Sequence, residues 1–249
     1  MRAYVTILDG DDALLPYFVR HYQRLGATEF PLLVYGTNEH LGRASAWITA
    51  VAGRCEVIGL YASETFSAKH REKTIAEHHP EGEWAFFCDL DEFAAIRPQF
   101  VWRAIESNYP FVAGNWVDRV AAGGKLADVN GRLPLERQFP LSGRLRSHWG
   151  MGDLVYVLSP KAPTLHHPQA CRWGKELWRT VVIPRVDVHH FKWQTNVVRR
   201  LRRRLERIEA AGKSRTPWAD RVKKMLAHLE AHQGIDPSLL THVGDVMGV

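Results

Sequence analysis

The sequence predicts an α/β fold: a Rossmann-type, mostly parallel sheet with flanking helices, closed by a C-terminal helical hairpin. Three observations predict it. Over the first 95 residues, short apolar runs alternate with helical patterns of ten to fourteen residues, the signature of βαβ units. The strand-like runs are apolar almost throughout, as strands covered by helices on both faces must be. Toward the C-terminus, two apolar stripes at helical spacing are joined by the turn GKSRTP.

Each element has its own reason. AYVTIL (3–8) is an apolar run stopped by the acidic turn Asp9-Gly10-Asp11-Asp12. Leu14, Leu15, Phe18, Val19, Tyr22 and Leu25 then recur at helical spacing, with Gly26 at the stop. FPLLVY (30–35) is a second strand. Ala44, Trp47, Ile48 and Val51 mark a second helix, closed by Gly53. CEVIGLY (55–61) is a third strand, residues 66–79 a helix of weaker periodicity, and WAFFC (84–88) a fourth strand running into Asp89. Beyond residue 97, FVAGNWV (111–117), VYVLS (155–159), TVVIP (180–184) and VDVHHF (186–191) are strand-like within a Gly- and Pro-punctuated stretch. Val198, Leu201, Leu205 and Ile208 form one closing stripe; Trp218, Val222, Leu226 and Leu229 form the other.

Composition excludes several classes. Hydrophobic residues at 45% and charged residues at 24% describe a globular chain. No run approaches the roughly 20 apolar residues of a membrane span. MRAYVTILDGDD meets three acids too early for a signal peptide. Cys55, Cys88 and Cys171 are too few and scattered for a disulfide framework or a thiolate zinc site, so a reduced, cytoplasmic protein is expected. The net charge of +6 is unevenly spread: residues 185–230 hold 13 Lys and Arg against 5 Asp and Glu, and the remainder is slightly acidic.

Asp89-Leu90-Asp91-Glu92 places three carboxylates in four residues directly after an apolar strand. Charges cannot stay unpaired in the core, so the acids are expected beyond the strand's end, where ligands of open α/β sheets bind. Three acids at one tip repel one another unless a cation or donor groups are present, and a divalent metal answers that need. A solvated acidic turn is the competing reading. A haloacid-dehalogenase-type site fits less well, because Phe93 replaces the Thr or Val expected there and three strand–helix units precede it.

WAFFCDLDEF resembles the D-x-D region of GT-A-type glycosyltransferases, especially the family 2-like group with a D-x-DEF signature. LPYFVRHYQRLGATEFPLLVYG resembles that group's opening, VAGNWVDRVAAGGKL and LERQFPL its middle, and VHHFKWQT its closing histidine motif. The resemblance covers residues 3 to about 205. It implies a GT-A-like domain over 1–193, with a nucleotide-binding half (1–97) and an acceptor and metal-completing half (98–193), followed by a basic helical extension (194–249). It further implies a hexosyltransferase-type enzyme using a UDP- or GDP-type sugar donor. Asp91 would be a direct metal ligand, Asp89 would meet the donor ribose or the metal through water, and Glu92 would support the loop. Asp9 resembles a base or ribose contact. Lys69, Arg71 and Lys73 are candidates for the donor region, although a solvated helix face accounts for at least two of them.

Adjacent residues on a strand face opposite sides, so Val186, Val188 and His190 share one face and Asp187, His189 and Phe191 the other. His190 is the preferred metal ligand, with His189 as the alternative. An Asp/His donor set suits Mn²⁺ better than Mg²⁺. An inverting transfer also needs a base for the acceptor hydroxyl. Asp118 is the first candidate and Glu136 and Asp153 follow; a salt bridge to Arg119 is the competing role for Asp118. Trp116, Trp149, Trp173 and Trp193 are candidates for stacking on sugars, with core packing as the alternative.

RRLRRRLER (199–207) is a basic amphipathic segment. It suggests peripheral contact of Arg199–Arg207 with an anionic inner membrane face or a lipid-linked acceptor. A packed helix with solvated arginines is the competing reading. No nucleic-acid-binding motif is present, so no specific nucleic acid is expected; a carbohydrate, lipid-linked or protein acceptor is. The alternative functions are a catalytically silent nucleotide-sugar-binding protein of the same fold, and a membrane- or nucleic-acid-binding module.

Overall fold

A computed structural model of the chain describes residues 1–8, 12–36, 55–62, 67–150, 154–161 and 185–242. The expected helix at 44–51 and strand at 180–184 lie outside the described residues, as do Asp9, Asp153, Cys171 and Trp173. In chain order the elements are β1 (Arg2–Leu8), α1 (Leu15–Arg24), β2 (Phe30–Gly36), β3 (Cys55–Ala62), α2 (Ala68–His78), β4 (Ala85–Asp89), β5 (Glu92–Ala95), α3 (Pro98–Glu106) and β6 (Val112–Val120). There follow α4 (Leu135–Gln138), β7 (Leu141–Gly143), α5 (Leu145–His148), β8 (Leu154–Ser159), β9 (Arg185–His190), α6 (Val197–Ala210), α7 (Pro217–His232) and β10 (Thr241–His242). The strand-like runs of the sequence become strands wherever they are described. Six elements, β5, α3, α4, β7, α5 and β10, arise where the sequence pattern shows none.

The chain divides into two compact units, Met1–Asn115 with Leu154–Val188, and Trp116–Asp153 with His189–Val249. In the first unit, four parallel strands lie in the order β4-β1-β2-β3. Antiparallel β8 extends the β4 edge, and the first half of β6 pairs with β8. The two faces separate Phe86 from Phe87. Phe87 stacks on Tyr4 at 5.4 Å and shares a buried cluster with Leu33, Tyr35 and Ile75 of α2. Phe86 packs instead against Tyr22 of α1, 4.9 Å away, and Phe18 of the same helix meets Phe93. Helices therefore cover opposite faces of this sheet, which explains strands such as β2 that are buried at every residue.

Local sequence sets the helix starts. Proline stands in the first turn of α1, α3 and α7, where its missing N–H removes nothing. Ser67 caps α2 by accepting the His70 N–H, and Thr216 caps α7 by accepting that of Ala219.

The second unit is built on a different core. Antiparallel β7 joins the second half of β6 to β10. Val197 and Leu201 of α6 and Val222, Met225 and Leu229 of α7 bury with Trp149, Trp193 and Val120. Each such side chain taken fully from water contributes about 1.5–3 kcal/mol. The α7 end then returns to Gly124, whose carbonyl accepts the Ile235 N–H at 2.7 Å. Gly124 has φ +76°, and a Cβ there would lie 2.0 Å from the Ile235 carbonyl oxygen, so only glycine allows this closure. The helical hairpin expected from the sequence is thus present, and it shares a compact unit with residues 116–153.

Candidate functional site

In the first unit the chain runs from β1 out to β2 and β3, then returns to place β4 on the other side of β1. The order reverses between β1 and β4, and the carboxyl ends flanking such a reversal form the ligand crevice of open α/β sheets. Asp89 ends β4, in register with Thr6 of β1, and the Leu90 N–H donates to the Thr6 carbonyl at 3.1 Å. The acids do not all stand free of the strands: Asp89 is the last residue of β4, Glu92 opens β5, and Asp91 between them is buried.

Two contacts hold this turn. The Arg71 guanidinium donates to Asp89 Oδ1 at 2.7 Å, and Glu92 Oε2 accepts the Asp89 N–H at 3.0 Å. Arg71 is 5% exposed, so its charge meets Asp89 in a poorly solvated setting. Lys69 and Lys73, flanking it in sequence, are exposed, and Lys73 pairs with Glu77 on its own helix at 3.7 Å. Arg71, rather than Lys69, is therefore the basic residue of α2 that reaches the acidic turn.

Helix α1 fixes the same turn and the start of β5. The Tyr22 hydroxyl accepts the Ala94 N–H at 3.2 Å and lies 3.1 Å from the Glu92 carbonyl, which can take its proton; the Cys88 sulfur is 3.0 Å away. His21 Nε2 lies 2.9 Å from the Ala94 carbonyl. Burial pushes the His21 pKa down to about 4. The neutral imidazole therefore donates Nε2–H to that carbonyl. The R-H-Y segment thus acts through its histidine and tyrosine, which tie α1 to β5.

The second unit assembles a different group. Asp118 is fully buried on β6, and its Oδ1 accepts from His190 Nδ1 at 3.0 Å and from Trp193 Nε1 at 2.8 Å. Burial pushes the Asp118 carboxyl up, but the His190 hydrogen bond and charge, with Lys192 and Trp193, outweigh it and leave the pKa below the ordinary value. Next along each strand, Arg119 Nη1 donates to His189 Nδ1 at 3.3 Å, and the Arg119 guanidinium also donates to the Phe139 carbonyl at 2.7 and 3.0 Å. Adjacent histidines therefore meet different partners.

Asp118, the first candidate for the acceptor base, is fully buried, and its Oδ1 holds two donors. The competing reading, a salt bridge to Arg119, is replaced by an ion pair with His190. Glu136, the second candidate, is buried on α4; burial pulls the Arg119 pKa below its ordinary value, and the Glu136 charge opposes that shift. Asp153 and Asp9 lie outside the described residues. Of the candidate stacking residues, Trp116, Trp149 and Trp193 are buried.

Taken by itself, the first unit offers carboxylate oxygens at Asp89 and Asp91. Within either unit, no three His, Cys, Asp or Glu side chains among the described residues already form a metal-holding group. In the second unit, the His190 Nδ1 contact with Asp118 is a carboxylate–histidine arrangement that fixes the orientation of the ring. His189 instead faces the Arg119 cation, which opposes a metal there. Near His190, burial and the charges of Arg204 and Arg146 push Lys192 down to about 7; Asp118 opposes this shift and Arg200 adds to it.

No family model and no curated protein matches the chain. Solved structures similar to it include HddC from Yersinia pseudotuberculosis, at 7% identity and TM-score 0.37 over 76% of this chain and 89% of that one. The galactosyltransferase LgtC, in complex with donor and acceptor sugar analogues, is similar at 17% identity and TM-score 0.33, over 64% of this chain and 56% of its own. S. aureus TarS, in complex with UDP-GlcNAc, is similar at 17% identity and TM-score 0.31, over 54% and 37% respectively. At these scores the likenesses assign no residue a role. The chain's fold is α/β, with a mostly parallel sheet in its first unit and helices on both faces.

Proposed function

We propose that the protein is a metal-dependent glycosyltransferase, moving a sugar from a UDP- or GDP-type donor to an acceptor hydroxyl. The observation that carries this reading is the Asp89–Glu92 turn at the carboxyl end of β4, beside the reversal of strand order. Asp91 and Asp89 would hold Mn²⁺, or Mg²⁺, together with the donor. When bound, the metal neutralises charge on the diphosphate as it leaves. Arg71 keeps Asp89 paired before any cation arrives, and Glu92 fixes the backbone of the turn.

In the second unit, His190 donates Nδ1–H to Asp118, which confines its further chemistry to Nε2. That nitrogen suits either Mn²⁺ or the proton of an acceptor hydroxyl. Asp118 fixes the ring and stabilises a positive charge on it.

Thermal melting with UDP and GDP, each with and without Mn²⁺, tests the proposal. At 100 times its Kd a ligand adds about 2.7 kcal/mol. Stabilisation that requires both nucleotide and metal supports the reading; indifference to every combination contradicts it. Binding without release of nucleotide from any sugar donor would favour a silent binding protein of the same fold.

A further inference from the structure

After α7 a short segment closes the second unit. Gln233 ends the helix in a left-handed conformation, and the Ile235 N–H then reaches the Gly124 carbonyl at 2.7 Å. Asp236 caps the turn Pro237–Leu239 by accepting the Ser238 N–H at 2.9 Å, and β10 pairs with β7. β7 in turn pairs with β6, where Gly143 stands in register with Asp118. The closing segment therefore braces the strand pair that carries Asp118.

One bond of this segment is made to a side chain that can take up a proton. The Asp236 N–H donates to His228 Nε2 at 3.2 Å, so the imidazole accepts through Nε2 and carries its own proton on Nδ1. A second proton turns Nε2 into a donor, and two donors then face each other. His228 is half-buried on α7. The His232 ring, one turn further along the same helix, is 4.6 Å away, and that of His148, at the end of α5, is 6.0 Å away. The Trp149 ring stands edge-on at 5.7 Å. Burial, then His232 and His148, hold the His228 pKa below its ordinary value, and the Asp236 carboxylate opposes them. That carboxylate is already engaged by the Ser238 N–H.

We propose that His228 is an acid-sensitive latch: protonation at Nε2 breaks its bond to the Asp236 N–H and releases the segment Ile235–His242 from Gly124 and β7. His148 and His232 set where the latch opens, because a charge on either opposes one on His228. The device lies wholly in the second unit and does not rest on the proposed transfer reaction. Since closure depresses the His228 pKa, the bond contributes fully above the ordinary histidine value of about 6.5 and is lost as pH falls below it.

Amide hydrogen exchange followed by NMR at pH 7 and pH 5 tests this, with each rate divided by that of the unfolded chain at the same pH. In the wild type, protection of Asp236 and Ile235 should fall about tenfold at pH 5, the change that one unit of pKa depression produces. The Ala94 amide, which donates to Tyr22 in the first unit, should keep its protection. His228→Gln retains an acceptor that does not titrate, so Asp236 should stay protected at both pH values. His228→Leu has no acceptor and should leave Asp236 poorly protected at both. The double variant His148→Gln, His232→Gln should move the opening to higher pH. Unchanged protection in the wild type, an equal loss in His228→Gln, or an equal loss at Ala94 would overturn the proposal. Should the His228 variants fail to fold, NMR titration of the wild-type imidazole decides. A His228 midpoint that coincides with the loss of Asp236 protection supports the latch, and a separate midpoint overturns it.

Discussion

His190 donates its Nδ1–H to Asp118 Oδ1 across 3.0 Å, and the Trp193 indole N–H reaches the same oxygen at 2.8 Å. The pair is separated by 72 residues in sequence. Both side chains are buried, the carboxylate completely. Asp118→Asn should then lower kcat by about 10²–10⁴ with little change in KM, the scale of a lost acid–base contribution. It should also displace the pH profile of kcat, which a merely structural substitution would not do. An unchanged profile would remove Asp118 from its positioning role.

The neighbouring histidine separates by a different measurement. His189 accepts from the buried Arg119, and removing it strands a donor. His189→Ala should cost about 1–3 kcal/mol in chemical denaturation. His190→Ala should chiefly weaken metal-dependent binding. The opposite ranking would mean that the two side chains exchange partners, as a one-residue slip in register produces.

Arg71 and Asp89 form the ion pair at the acidic turn, with side chains 6% and 26% exposed. A double-mutant cycle of Arg71→Gln and Asp89→Asn should give a coupling of about 1–3 kcal/mol, above that of an exposed pair. In Arg71→Gln alone, Mn²⁺ should restore part of the lost stability by replacing the missing positive charge. No coupling would mean that the contact is incidental.

His21 gives stability a predictable slope with pH. Its folded pKa, about 4, lies below the ordinary histidine value, so between about 4 and 6.5 the unfolded chain binds the extra proton. Its contribution is therefore full above about pH 6.5 and is lost as pH falls toward 4, amounting to about 3 kcal/mol. Urea denaturation of wild type and His21→Gln at pH 7 and pH 5 should show a smaller pH dependence in the variant. Equal slopes would exclude His21 as the source.

Much of the first unit is legible in the sequence because its strands are long apolar runs, and burial on both faces leaves little freedom in reading them. The acidic turn is legible for a related reason: charges directly after such a run must have partners. Arg71 is harder to see, since Lys69 and Lys73 disguise its face of α2. The available signal is Ile75, four residues on and buried, which places Arg71 on the inward stripe. The pairing of Asp118 with His190 depends on how β6 and the β9 end meet, and no local pattern specifies that. The arginine run reads from sequence as one basic segment; only packing of α6 divides Arg200 and Arg204 from their exposed neighbours. No described helix is long and apolar enough to cross a membrane. The membrane reading therefore rests on the exposed arginines alone.

Calorimetric titration of nucleoside diphosphate into wild type and Asp91→Asn, with and without Mn²⁺, tests the central claim most directly. The predicted result is tight binding that requires Mn²⁺ in the wild type and is weakened at least about tenfold in Asp91→Asn, the loss of one charged ligand contact. Equal affinity in the two proteins with Mn²⁺ present would contradict it.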